Sequence, residues 1–228
     1  METAVAVVAV AVADVAAEAA TAIRIAAEPD LLTETTATTL DGGLRAVTER
    51  VGSASSVCLG LAMAVGSRDE RPEEAGFCHF LEHLLFRGTE QTSARQISVA
   101  FDSMGGMVDA MTSRESTILT ARVASEDAPA ALALLLEMVS RPGLTGVDTE
   151  RRVILEEMAM IEDDYADRLS EEVSLRVHGG HPLGRPIAGT RESVKAASRE
   201  RLAGFHRSAY SRAGIVAFAA GEVDHQWF

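Results

Sequence analysis

Two histidines four residues apart, with a glutamate just before the second, stand in GFCHFLEHLLFRGT, residues 76 to 89. On a helix, positions i, i+3 and i+4 share a face, so His79, Glu82 and His83 project together. Phe80, Leu81 and Leu84 occupy other angles and can anchor the helix. Two neutral imidazoles one turn apart can grip a single Zn²⁺ at about 2.0–2.1 Å each. A carboxylate beside them that does not ligate can take a proton from water activated by the metal. The bland alternative is an amphipathic helix with solvated polar groups, and a five-residue pattern alone does not exclude it.

A catalytic zinc site needs a third protein ligand and a position left for water. TERRVILEEMAMIEDD offers candidates. Glu150 and Glu157 are seven residues apart, so they lie two turns apart on one helix face, with Val153, Ile154 and Ile161 on the same stripe. That stripe is apolar and predicts that Glu157 is buried against the core. Glu156 lies about 100° round the helix, with Arg152, Ala159 and Asp163, on a face that reads as solvated. A buried carboxylate is costly unless paired or bound to metal. Glu157 is therefore the better third ligand. Glu150 is placed to orient a ligand or hold a proton.

These residues need elements to hold them. TTLDGGLRAVTER reads as two short strands around an Asp-Gly-Gly turn. In VCLGLAMAV, residues 57 to 65, Val57, Leu59, Leu61, Met63 and Val65 alternate with a period of two, which predicts a strand with one apolar face. GSRDERPEEAG is a polar connector to the histidine helix, which Gly88 ends. Ser93 and Gln96 form a capping box for a second helix that Gly105-Gly106 stops. MVDAMTSRESTILTARV reads as a hairpin. A third helix is expected from a Ser125 cap to Pro142-Gly143, and a long one from Thr149 to about Val177. HGGHPLGRPIAGT is a loop, SRERLAGFHRSAY a last helix and GIVAFAAG a last strand. Mixed helices and hairpins predict a two-layer α+β fold, a mostly antiparallel mixed sheet covered by helices.

The 228 residues suffice for one well-buried domain or two small ones. A hydrophobic content of 47% and mean hydropathy of +0.09 belong to a soluble globular chain, and with 4% aromatics the core must be aliphatic. A net charge of −13 argues against nucleic acid or an anionic membrane as partner. Cys58 and Cys78 form no disulfide framework and read as two buried thiols in a reducing compartment. Residues 1 to 37 read as a low-complexity lead-in, disordered or loosely helical. The apolar run there stops at Asp14, short of the roughly 20 residues a membrane helix needs, and Glu2 stands where a secretory signal carries Lys or Arg. The expected location is the cytoplasm.

HFLEH is the inverted zinc motif H-x-x-E-H. GFCHFLEHLLFRGT closely resembles the pitrilysin (insulinase) family, and within it the mitochondrial processing peptidase-like bacterial members. TTLDGGLRAV, VGSRDE, MGGMVDAMTSRE, ERRVILEEM, HPLGRPIAGT and AAGEVDH agree with it in order, so the resemblance covers roughly Thr38 to His225. It implies a zinc metalloendopeptidase half over residues 38 to 228, with one Zn²⁺ per chain. His79 and His83 match the family's zinc-binding histidines, Glu82 its general base, Glu157 its distal zinc-binding glutamate and Glu150 its supporting acidic residue. VDAMTS matches the edge strand to which substrates add as an extra β-strand, which implies substrate contact at Asp109, Ala110 and Thr112.

Asp109 stands where the family usually has Asn, replacing an amide with an acceptor-only group. Cys78 stands where a small polar residue is common. His178 and His181 fall in the family's His-Pro turn, and His206 and His225 read as structural. The resemblance also implies a peptide substrate and a homologous second half, as domain or subunit, supplying an Arg and a Tyr; no residue here matches those two. A homo-oligomer is the other expected assembly. The competing function is a truncated or scaffold-type member that binds zinc and peptide without efficient cleavage.

Overall fold

The computed structural model describes residues 33–210 and 214–228. Six strands form one sheet: β1 (Thr33–Thr39), β2 (Arg45–Val51), β3 (Ser56–Met63), β4 (Met107–Thr112), β5 (Thr117–Ala124) and β6 (Ile215–Gly221). Their order is β1-β2-β6-β3-β5-β4. Every neighbouring pair is antiparallel except β2 with β6. The mostly antiparallel mixed sheet expected from the sequence is therefore present, with helices layered on it.

One boundary moves. Thr33 already pairs with Val51, so residues 33–37 belong to a strand rather than to the lead-in. The threonines of TETTATT are β-branched and suit an extended backbone. The rest of the expected lead-in lies outside the described residues.

The helices are α1 (Phe77–Leu85), α2 (Ala94–Ser103), α3 (Ala128–Ser140), α4 (Val147–Asp163), α5 (Tyr165–His178), α6 (Arg191–Ala196) and α7 (Arg199–Ala209). The Ser93–Gln96 capping box opens α2 as expected. Ser125 caps nothing: residues 125–127 form a 3₁₀ turn before α3, and its hydroxyl is buried without a partner. The long helix expected from Thr149 is two helices. Asp164 adopts an extended conformation (ψ 115°), and its carboxylate accepts the N–H groups of Ala166 and Asp167, capping α5.

The apolar face of β3 is fully inside: Val57, Leu59, Leu61 and Met63, with Val65 beyond it, are all buried. Phe77, Phe80, Leu81, Leu84 and Leu85 of α1 join the same core, as do Leu135 and Met138 of α3. Burial of each such side chain contributes about 1.5–3 kcal/mol. With Cys78, six of the nine residues of α1 thus hold it to the core, which fixes the face left for His79, Glu82 and His83. Cys78 is buried as expected, whereas Cys58 is only partly buried; both are free thiols. Among the described residues no helix is long and apolar enough to cross a membrane.

Candidate metal centre

α1 and α4 pack against each other and bring together what the sequence separates by more than seventy residues. The Nε2 atoms of His79 and His83 are 3.3 Å apart. Oε2 of Glu157 lies 3.8 Å from the first and 3.5 Å from the second. Glu156, its neighbour, is exposed. The choice between adjacent glutamates made from helical angle agrees with this placement.

The expected burial does not. Glu157's side chain retains 40% of its exposure, whereas that of Glu150 retains 4%. Both lie on the stripe with Ile154, but the core ends before the second turn reaches Glu157. Glu150 is the enclosed carboxylate, and it is paired on both sides: Oε2 meets Nδ1 of His83 at 3.0 Å, and Oε1 forms an ion pair with Arg87. Such burial is tolerated because the charge has partners.

That contact fixes the chemistry of His83. A carboxylate only accepts, so Nδ1 of His83 carries the proton, and in the neutral ring Nε2 is a lone pair. Nε2 faces Glu157 Oε2, a second acceptor. His79 can place at most one proton between them. Burial, reinforced by neighbouring His83, pulls the pKa of His79 down to about 4, so its ring is neutral at pH 7. Two acceptors sharing one proton leave an incomplete hydrogen-bond set, the kind of gap that a divalent cation would complete.

The spacing fits the same ion. Two ligands on a tetrahedral zinc with bonds of about 2.0–2.1 Å lie roughly 3.3–3.4 Å apart. The imidazole nitrogens meet that separation, and the carboxylate oxygen is a few tenths of an ångström beyond it. Two nitrogens and one oxygen suit zinc rather than magnesium or calcium. Among the described residues, His79, His83 and Glu157 are the group whose donor atoms converge in this way.

Glu82 shares this face of α1 and points to the sheet edge, where its Oε2 accepts the hydroxyl of Thr112. Burial raises its pKa above the ordinary carboxylate value, opposed by the Thr112 bond and by His83. Thr112 is itself buried, and its hydroxyl is engaged with Glu82, which leaves its main chain on β4 as the part open to an added strand. Asp109 is exposed and turns Oδ1 back to the N–H of Ala110. Both lie on β4, which ends the sheet and pairs with β5 alone among the described strands.

The remaining histidines lie elsewhere. His181 accepts the N–H of Leu183 in the loop after α5, His206 donates to the carbonyl of Val139, and His225 sits between the hydroxyls of Thr38 and Thr48. Sequence reasoning missed Arg87 and the hold of Thr112 on Glu82. Neither has a local signature, because each partner arrives from a distant element.

The model of the insulinase family, peptidase family M16, matches residues 45–191. The chain belongs to this family. An uncharacterized zinc protease of Mycobacterium bovis is 42% identical over 204 residues, 89% of this chain and 47% of that protein. A protease from Helicobacter pylori shares the fold at a TM-score of 0.81 and 22% identity, covering 86% of this chain and 48% of that one. A peptidase M16 inactive domain from Pseudomonas fluorescens shares it at a TM-score of 0.79 and 18% identity, covering 85% and 48%. The chain spans about half the length of the curated relatives it matches. A domain described as inactive has this fold too, so function in the M16 family has to be argued from side chains.

Proposed function

We propose that this M16 chain is the zinc-binding half of a metalloendopeptidase that cleaves peptides or unfolded segments. His79, His83 and Glu157 hold one zinc ion, Glu82 is the general base, and Glu150 keeps His83 in its ligating tautomer. The observation that carries the reading is the convergence of Nε2 of His79, Nε2 of His83 and Oε2 of Glu157, with Glu82 on the same helix face. The metallopeptidase names of M16 relatives support it.

When bound, zinc would supply a Lewis acid that activates water and polarises the scissile carbonyl. Glu82 takes a proton from the attacking water and passes it to the leaving nitrogen as the C–N bond breaks. Its raised pKa suits both halves of that task, and Thr112 keeps the carboxylate aimed. An extended peptide adds to the open edge of β4 through main-chain hydrogen bonds beside Asp109 and Ala110, which brings its carbonyl toward Glu82.

The working enzyme includes a homologous second half, as domain or subunit. Support comes from the length of the relatives and from α5, where Tyr165, Leu169 and Val177 are 86%, 64% and 73% exposed. Cleavage of an unfolded peptide by the chain, with and without a second-half protein, tests the reading. Addition should raise kcat at least about tenfold, because donors to a developing oxyanion are each worth roughly 10²–10³-fold. Zinc-loaded Glu82→Gln protein should lose about 10²–10⁴-fold under the same conditions. Full activity in that variant would overturn the mechanism.

A further inference from the structure

α1 begins without a cap of its own. Its N-cap is Gly76, which has no side chain to accept the first free N–H groups. Nothing larger fits there: φ is +88°, and a Cβ would stand 2.4 Å from the carbonyl oxygen of Ala188. The capping acceptor comes instead from the connector upstream. Glu70 is 4% exposed, and its two carboxylate oxygens accept the N–H of Gly76 at 2.8 Å and of Cys78 at 2.7 Å. Its own carbonyl is held by Arg185. The next residue after Cys78 is His79.

We propose that Glu70 is a positioning residue for the metal centre: by clamping the first turn of α1 it sets the rotation of His79 toward His83 and Glu157. This inference rests on the zinc reading above. A fork holding two free donors, one on either side of Phe77, fixes both the tilt and the rotation of the turn, which one hydrogen bond cannot do. The Gly189 Cα wedged under Gly76 and the Ser193 hydroxyl on the carbonyl of Ala75 seat the same junction from the other side. Burial pushes the Glu70 carboxyl up to about 7 while the two N–H bonds oppose the rise, so the test belongs at pH 8, where the carboxylate prevails.

The test compares wild-type, Glu70→Gln and Glu137→Gln chains by zinc affinity against a competing chelator, by the visible spectrum of the Co²⁺ form and by thermal melting. Glu137 accepts the hydroxyls of Thr89 and Thr92, away from α1, and reports what loss of a structural carboxylate does. Glu70→Gln should weaken zinc by about tenfold or more and alter the cobalt bands, in the range of residues that orient ligands. Glu137→Gln should lower Tm and leave both unchanged. Should Glu70→Gln fail to fold, Glu70→Asp, which keeps the charge but shortens the reach, is read in the same assays with the same expectation. A folded Glu70 variant with wild-type affinity and spectrum overturns the proposal alone. A wild-type chain that binds neither ion overturns the metal reading, and this inference with it.

Discussion

Glu150 and Glu157 are the same residue, on the same helix and the same stripe, in opposite settings. Glu150 lies in the first turn of α4, retains 4% of its side-chain exposure and is paired with His83 and Arg87. Glu157, two turns on, retains 40% and faces two imidazole nitrogens with no Arg or Lys paired to it among the described residues. The buried acid meets His83 at one oxygen and the Arg87 guanidinium at the other. The half-exposed acid has an open valence beside the two imidazoles, and that is the position proposed for the metal. Burial alone, the criterion that favoured Glu157 from the sequence, points instead to Glu150; the convergence of donor atoms is what favours Glu157.

The comparison breaks most sharply in metal content. Glu157→Gln should reduce bound zinc from one per chain to a small fraction, whereas Glu156→Gln should retain it, as measured by elemental analysis after dialysis. Loss in Glu156→Gln with retention in Glu157→Gln would reverse the assignment. The next effect is smaller. Glu150→Gln leaves all three ligands in place but can no longer orient His83 as a carboxylate does, so zinc affinity should fall about 10–100-fold by chelator competition. A loss as complete as that of Glu157→Gln would make Glu150 a ligand instead.

Much of this site was legible because it is local. The face shared by His79, Glu82 and His83 follows from i, i+3 and i+4 spacing, and the angular distinction between Glu156 and Glu157 from 3.6 residues per turn. The alternation in β3 and the Ser93 capping box are equally short-range. What escaped is long-range or involves chain reversals. Arg87 reaches Glu150, and Thr112 reaches Glu82, only after α1, α4 and β4 pack. Glu70 sits in what reads as a polar connector, and only the 3₁₀ turns of residues 67–69 and 72–74 fold it back onto α1. The parallel insertion of β6 between β2 and β3 has no local signature at all. The break at Asp164 escaped because good helix formers flank it on both sides, although aspartate itself favours an N-cap over a helix interior.

The smallest predicted effects lie outside the site and check that it behaves separately. Burial lowers the pKa of His206, while its bond to the Val139 carbonyl opposes this. The folded state therefore resists a proton that the unfolded chain accepts near 6.5. Stability should be unaffected by this group well above that pH and fall as pH drops through it, levelling once the folded-state ring also protonates. Denaturant midpoints between pH 8 and 5 should fall less in His206→Gln than in wild type; an equal or steeper fall would contradict it. Burial and the adjacent Glu70 also push the Cys78 thiol far up, so native protein should resist alkylation there until it unfolds.

The most direct test is anomalous diffraction at the zinc edge from crystals of the zinc-loaded chain. One strong peak per chain is expected within about 2.0–2.2 Å of Nε2 of His79, Nε2 of His83 and a carboxylate oxygen of Glu157, with Glu150 bonded to His83 and not to the ion. A peak ligated by Glu150, or no peak between the two histidines at saturating zinc, would contradict it.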